Sequence, residues 1–300
     1  MYESLLIAVV GLNIWADFMD RSAVQRSDIN ALSLWTTIVQ FLLVMPLVGL
    51  VEPIALPLLA LSFAVGAISV AGRIPWYRAL AADGQRLSRL APFSRLSSVV
   101  VLALAVLVLG EKLSEVKLAG ALVMILGSLL MSLEGKMTNL RTYLAANKAL
   151  VQVVLFAISI AFISVYYKYM MNLGTSIITA YFFLKFGQCT VAVLQALAQR
   201  TLTTSFAAIL DLQLFVQARA VQTAAALLYI LVLRGVDLSR AEPLAAAIGP
   251  VMFLIIEKLS DRRSAAGGAA PKEGGSGKMQ WFRYAGLGAI MLGLFLLVRH

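Results

Sequence analysis

Ten times along the chain a stretch of about 20 residues passes with few charges, and that is the length a helix needs to cross the hydrocarbon of a bilayer. The stretches fall near 4–22, 30–50, 54–80, 88–109, 115–134, 148–170, 175–197, 209–233, 240–257 and 281–298. A soluble fold of 300 residues has no interior large enough to hide them. Of the chain, 61% is hydrophobic and only 13% charged, where globular domains carry about a quarter charged residues. In lipid each backbone donor and acceptor must be satisfied within its own segment, so the expected fold is an all-α polytopic membrane protein of ten transmembrane helices. Short connections make neighbouring helices antiparallel. The first stretch has neither a basic leader nor a small-residue cleavage site, and reads as a retained helix.

The chain also repeats itself. Gly84, Leu87, Ser88, Arg89 and Pro92 form G-x-x-L-S-R-x-x-P, and Gly235, Leu238, Ser239, Arg240 and Pro243 form the same string 151 residues later. Glu111-Lys112-Leu113-Ser114 returns as Glu257-Lys258-Leu259-Ser260, and Ala119-Gly120 with Gly127 returns as Ala285-Gly286 with Gly293. Three matches in the same order define two halves, 1–134 and 148–300, joined by a linker at 135–147. Residues 258–280 are rich in Gly, Ala and Lys with no hydrophobic period, and are expected to form a mobile loop inside the second half. Each half holds five stretches. An odd number sends the second half into the membrane from the opposite side, so the halves are two inverted five-helix repeats. Transporters use this architecture, with a solute site near midplane where the halves meet.

The repeated residues have physical roles of their own. Pro92 and Pro243 lie early in membrane stretches, where proline removes a backbone donor and bends the helix; they are the candidate hinges. Gly120 and Gly127, like Gly286 and Gly293, are seven residues apart and mark a close-packing helix face. Glu111 and Glu257 sit at helix ends, where capping and loop salt bridges account for them.

The run Arg89-Leu90-Ala91-Pro92, then Leu109-Gly110-Glu111-Lys112-Leu113, then Ala119-Gly120 with Gly127 resembles the EamA-type signature of the drug/metabolite transporter superfamily. The resemblance covers 77–132 and, more loosely, 229–298, where Ile256-Glu257 stands in place of Gly-Glu. It implies a five-plus-five inverted fold and transport by alternating access. Members of that superfamily carry amino acids, nucleotide sugars, drugs and other metabolites.

Four basic residues fall well inside the stretches: Arg73, Arg95, Lys185 and Arg219. Each costs about 2.5–3.5 kcal/mol to place at a helix centre, so each is a candidate site residue. Arg95 follows the Pro92 kink among Ser94, Ser97 and Ser98, and Arg219 lies between Gln217 and Gln222. Glu242 beside Pro243, with Asp17 and Asp20, supplies the few acids within reach. Trp15 and Tyr77 are candidates for the cavity wall. Four interior cations against about two deep acids predict a positive cavity, and hence an anionic or zwitterionic solute. No cofactor is expected. A single cysteine, Cys189, permits no internal disulfide, and a lone histidine at position 300 offers no His-based catalysis or metal site. The net charge of +10 fits loops lying on anionic lipid, without nucleic acid. The partners expected are therefore a small-molecule solute and membrane lipids, with oligomeric state open. A flippase for a lipid-linked anionic headgroup and a non-transporting scaffold or receptor are the alternatives. An enzyme is not expected.

The expected location is the cell (inner) membrane. Connections on one face carry 15 Lys and Arg against 6 on the face that holds both termini. The positive-inside rule then puts the termini outside the cytoplasm, whereas the family resemblance puts them inside. On the charge argument, a reporter fused after residue 300 is active on the outer face; cytoplasmic activity would decide for the resemblance.

Overall fold

A computed structural model describes residues 2–24, 27–81, 97–112, 114–132, 148–199, 212–245, 248–249, 252, 285–293 and 296. Eight helices are continuous: α1 (Tyr2–Val24), α2 (Ile29–Val44), α3 (Leu56–Ala81), α4 (Ser97–Leu109), α5 (Glu115–Ser132), α6 (Lys148–Asn172), α7 (Ile177–Ala198) and α8 (Leu212–Gly235). Two shorter helical runs follow, α9 (238–245) and α10 (285–293). Helix is thus present in all ten predicted stretches, and no strand occurs among the described residues. Among the described residues, five helices are long and apolar enough to cross a membrane: α2 with the turn after it, α3, α6, α7 and α8. The protein is a helical membrane protein. The predicted linker 135–147, the loop 258–280, Pro92, Arg95 and Glu257 lie outside the described residues.

Local chemistry sets several helix ends. Asp28 accepts the Ala31 N–H at 2.8 Å and starts α2, and Ser176 accepts the Thr179 N–H at 3.2 Å and starts α7. Each removes one of the donors that a helix N-terminus leaves over. α2 tightens into a 3₁₀ turn at Met45–Leu50, where Pro46 cannot continue the α-helical ladder. α4 ends at Gly110, whose φ of +66° is the left-handed conformation that glycine adopts without strain. That turn aims Glu111 across the bundle. Its carboxylate accepts the Leu238 N–H at 3.0 Å and the Ser239 N–H at 2.9 Å, capping α9. Lys168 of α6 donates to the carbonyls of Leu233 (3.1 Å) and Val236 (2.9 Å), capping the end of α8. The corner between α8 and α9 therefore has an anion on a helix N-terminus and a cation on a helix C-terminus, the favourable sense of both dipoles.

Packing rests on glycine. α1 lies along α8, α3 packs on α6 and α7, α2 on α7, and α4 on α6. A Cβ on Gly66 of α3 would stand 2.8 Å from the Gln188 nitrogen, and one on Gly187 of α7 would stand 2.7 Å from the Ser62 carbonyl oxygen. The two backbones touch with no side chain between them. α5 and α10 meet in the same way. A Cβ on Gly127 would lie 2.7 Å from the Gly286 carbonyl oxygen, and one on Gly293 would lie 2.5 Å from that of Gly120. The repeated glycines thus form one close-packed contact, each pair facing the other.

Gly127→Ala is expected to lower stability by about 1–3 kcal/mol through overpacking. Gly288→Ala, in the partner helix α10 but with nothing within 4 Å of its Cβ, should be neutral or stabilising by up to about 1 kcal/mol. Thermal unfolding in detergent compares the two; equal effects would contradict the packing described.

Candidate functional site

The polar residues of these apolar helices recur at helical spacing. Asn13, Asp17 and Asp20 on α1 are four and three apart; Ser69, Arg73, Trp76 and Tyr77 on α3 are four, three and one apart. Tyr181, Lys185 and Gln188 on α7, and Arg219, Gln222 and Tyr229 on α8, follow the same 3.6-residue period. All of these stripes face one cavity of about 280 Å³, closed on other sides by α6 and α9.

One wall is a continuous hydrogen-bonded network. Arg219 has no solvent exposure and is ion-paired with Asp20, which is 1% exposed. Arg219 Nη1 also donates to Thr36 Oγ1 and to Tyr77 Oη, both at 3.1 Å, and those two hydroxyls are 2.9 Å apart. The guanidinium rests over the Phe215 ring, 5.1 Å from its centroid. From Lys185 a second path runs to the same carboxylate. Lys185 Nζ donates to Gln40 Oε1 at 2.8 Å, Gln40 Nε2 to Gln222 Oε1 at 3.0 Å, and Gln222 Nε2 to Asp20 Oδ2 at 2.9 Å. The direction is forced, because an ammonium only donates and a carboxylate only accepts. Both amide dipoles therefore point from cation to anion, and each bond polarises the next. Lys185 also donates to Gln188 Oε1 at 3.0 Å, whose Nε2 donates to Ser69 Oγ at 2.8 Å. Tyr181, whose ring lies 5.1 Å under the Lys185 ammonium, donates to Thr223 at 3.3 Å.

The opposite wall is built on Glu242. Its Oε1 accepts from Ser164 Oγ at 2.7 Å and from Tyr229 Oη. The next residue, Pro243, has no N–H, so the Ser239 carbonyl lacks its usual intrahelical donor. Between the walls stand Arg73 and a stacked pair, Trp76 on Phe156, with ring centroids 4.6 Å apart and planes at 17°. Pro75 interrupts the donor ladder of α3 next to Arg73.

Of the eight sequence candidates, Arg219, Arg73, Lys185, Tyr77, Gln222 and Glu242 line this one cavity. Arg95 lies outside the described residues. Trp15 is not in the wall: it is 55% exposed, because two residues past Asn13 is about 200° around a helix. The expected positive surplus counted Arg95, which lies outside the described residues. Among the described lining residues Arg73, Lys185 and Arg219 face Asp17, Asp20 and Glu242, three against three. Asp20 lies in the last turns of α1, as expected, and is buried against Arg219. Sequence reasoning passed over Gln40, Ser164 and Tyr229. Their signal is the same polar stripe, visible once the helix register is fixed.

No family model matches the chain, and no curated protein matches it. Chains of solved structures do. One, a crystal structure described only as that of a protein, superposes with a TM-score of 0.62 over 99% of this chain and 98% of its own, at 17% identity. At that identity the likeness speaks to the fold alone.

Asp20→Asn is expected to destabilise the protein by about 3–5 kcal/mol, since it leaves the Arg219 charge buried and unpaired. The double replacement Asp20→Leu with Arg219→Met should recover most of that loss. Unfolding midpoints for the single and double variants check this. A double variant no more stable than Asp20→Asn would contradict the pairing.

Proposed function

We propose that the protein is a secondary transporter of the EamA type, moving a small polar metabolite, anionic or zwitterionic, by alternating access. The observation that carries the reading is the cavity itself. Charged and amide side chains converge in the middle of apolar helices, where each costs free energy, and helices from both sequence halves supply them. Stability gives no reason to gather six ionised groups around open space; solute recognition does. A volume of about 280 Å³ is at the small end for ligand pockets, which run from ~300 Å³ upward, and suits a small solute.

The inverted ten-span arrangement is part of the proposal, and the glycine contacts support it. Exchanging Gly120 with Gly286 and Gly127 with Gly293 turns the contact Gly127–Gly286 into Gly293–Gly120, so the contact maps onto itself. Self-complementary contacts of this kind arise from two-fold symmetry. The helix pairs obey the same exchange: α1 on α8 becomes α6 on α3, and both are extensive. Because the contact runs antiparallel, the axis lies across the helices, as inverted repeats require. Alternating access then needs contacts between the halves that break on one face. Two are present on the face of the termini: Glu111 on α9, and the Glu52 N–H donating to Thr179 Oγ1 at 2.8 Å. Pro92 and Pro243 remain the proposed hinges, and the charge bias makes this face the outer one.

Counterflow in proteoliposomes tests the function. Protein-dependent, saturable exchange of a labelled small amino or organic acid is expected. Arg219→Ala, which dismantles the network, should reduce it by at least about tenfold, as should Arg95→Ala. Full activity in both variants would contradict the proposed role of these cations.

A further inference from the structure

Among the described residues, six side chains that can carry charge line the cavity, and their bonds divide them unequally. Arg219 and Asp20 are paired with each other. Lys185 spends two of its three donors on Gln40 and Gln188, and Asp17 has interactions of its own. Arg73 and Glu242 are different. Among the described residues nothing accepts a hydrogen bond from Arg73, and its Nη1 is buried with no partner. The nearby Tyr77 hydroxyl is already engaged by Thr36 and Arg219. The Glu242 carboxylate receives both of its hydrogen bonds on Oε1, from neutral hydroxyls. Among the described residues its Oε2 has no hydrogen bond and no cation faces its charge within ion-pair distance. Arg73 and Glu242 do not pair with each other, although both line the same cavity.

We infer that the solute is a zwitterion carrying one carboxylate and one protonated amine, with the carboxylate on Arg73 and the amine on Glu242. The inference rests on reading this cavity as the transport site. A guanidinium fork matches a carboxylate, and an ammonium supplies the donors that Glu242 Oε2 lacks. A monoanion would satisfy Arg73 and leave the Glu242 carboxylate buried without a countercharge; a monocation would do the reverse. Only a ligand with both charges satisfies both ends, and it adds no net charge to described lining residues that already balance, three cations against three acids. The Trp76–Phe156 stack beside Arg73 offers an apolar surface to the carbon skeleton between the two charges. Selectivity then comes as much from the end left unsatisfied by a wrong ligand as from the contacts made by the right one.

Matched probes test this on purified protein by thermal shift: γ-aminobutyrate with butyrate and butylamine, and alanine with propionate and ethylamine. At least one zwitterion is expected to bind about tenfold or more tightly than either singly charged relative of the same skeleton. In Glu242→Gln the preference should invert, with the monocarboxylate binding at least as well as the zwitterion. Arg73→Gln should weaken the zwitterion and the monocarboxylate together, leaving the monoamine unchanged. The ranking on the unaltered protein stands whether or not either variant folds. A monocarboxylate equal to its zwitterion, or no shift from any probe at ~10 mM (where a millimolar Kd would register), would overturn the assignment. Zwitterion binding without proteoliposome exchange would overturn the transport reading and leave this one standing; exchange of a monoanion alone would do the opposite.

Discussion

A guanidinium with no exposure to solvent must find its countercharge and its acceptors inside the protein, and Arg219 sets that condition for the bundle. Asp20 supplies the charge from α1, Thr36 an acceptor from α2, and Tyr77 another from α3. Three helices that are far from α8 in sequence or separated by loops are thereby registered against it. The same carboxylate receives Gln222 and, through it, Gln40 and Lys185. One acidic side chain therefore terminates two paths, one from Arg219 and one from Lys185. Such networks are weak sources of net stability, since desolvation offsets most of the attraction, but partial loss is expensive. Their value here is geometric: once the partners are fixed, the polar stripes of four helices must face the same space.

Glycine determines how closely that space is enclosed. Gly66 against Gly187 brings α3 and α7 into backbone contact beside Gln188 and Ser69, which belong to the network. Gly127 against Gly286, with Gly293 against Gly120, ties the two halves far along the chain. At the α8–α9 corner, Glu111 and Lys168 complete backbone groups that a helix end leaves open. Glu242 lies one turn beyond that corner, so the cap on α9 and the acidic wall of the cavity are carried by the same short helix. A carboxylate from the first half holding a helix of the second is a contact that can be made or broken as a unit, which a gate requires.

Much of this was legible in the residues. The helices follow from apolar runs of bilayer length, and their ends agree to within a few residues where Asp28, Ser176 and Gly110 mark them. A close-packing glycine face in each half follows from the seven-residue spacing, whereas only the fold shows that the two faces pack on each other. Arg73, Lys185 and Arg219 stand out because a charge in an apolar helix is costly. What could not be read is pairing. Nothing in the spacing of Asp20 and Arg219, 199 positions apart, says that they meet, and counting charges one by one does not show which of them are matched. Trp15 failed for a related reason: nearness in sequence to Asp17 says nothing about which face of α1 a side chain takes. Glu111 was recognisable as a cap, but the helix it caps belongs to the other half, and only the fold brings them together.

The central claim is that one cavity is reached from each side of the membrane in turn. Side-specific labelling tests it directly. With Cys189 replaced by serine and Ala226, which lines the cavity outside the polar network, replaced by cysteine, a membrane-impermeant thiol reagent is applied from either face of oriented vesicles. The account predicts labelling from both faces, with a transported solute slowing each. Labelling from one face only, unchanged by solute, would show a static pocket and contradict alternating access.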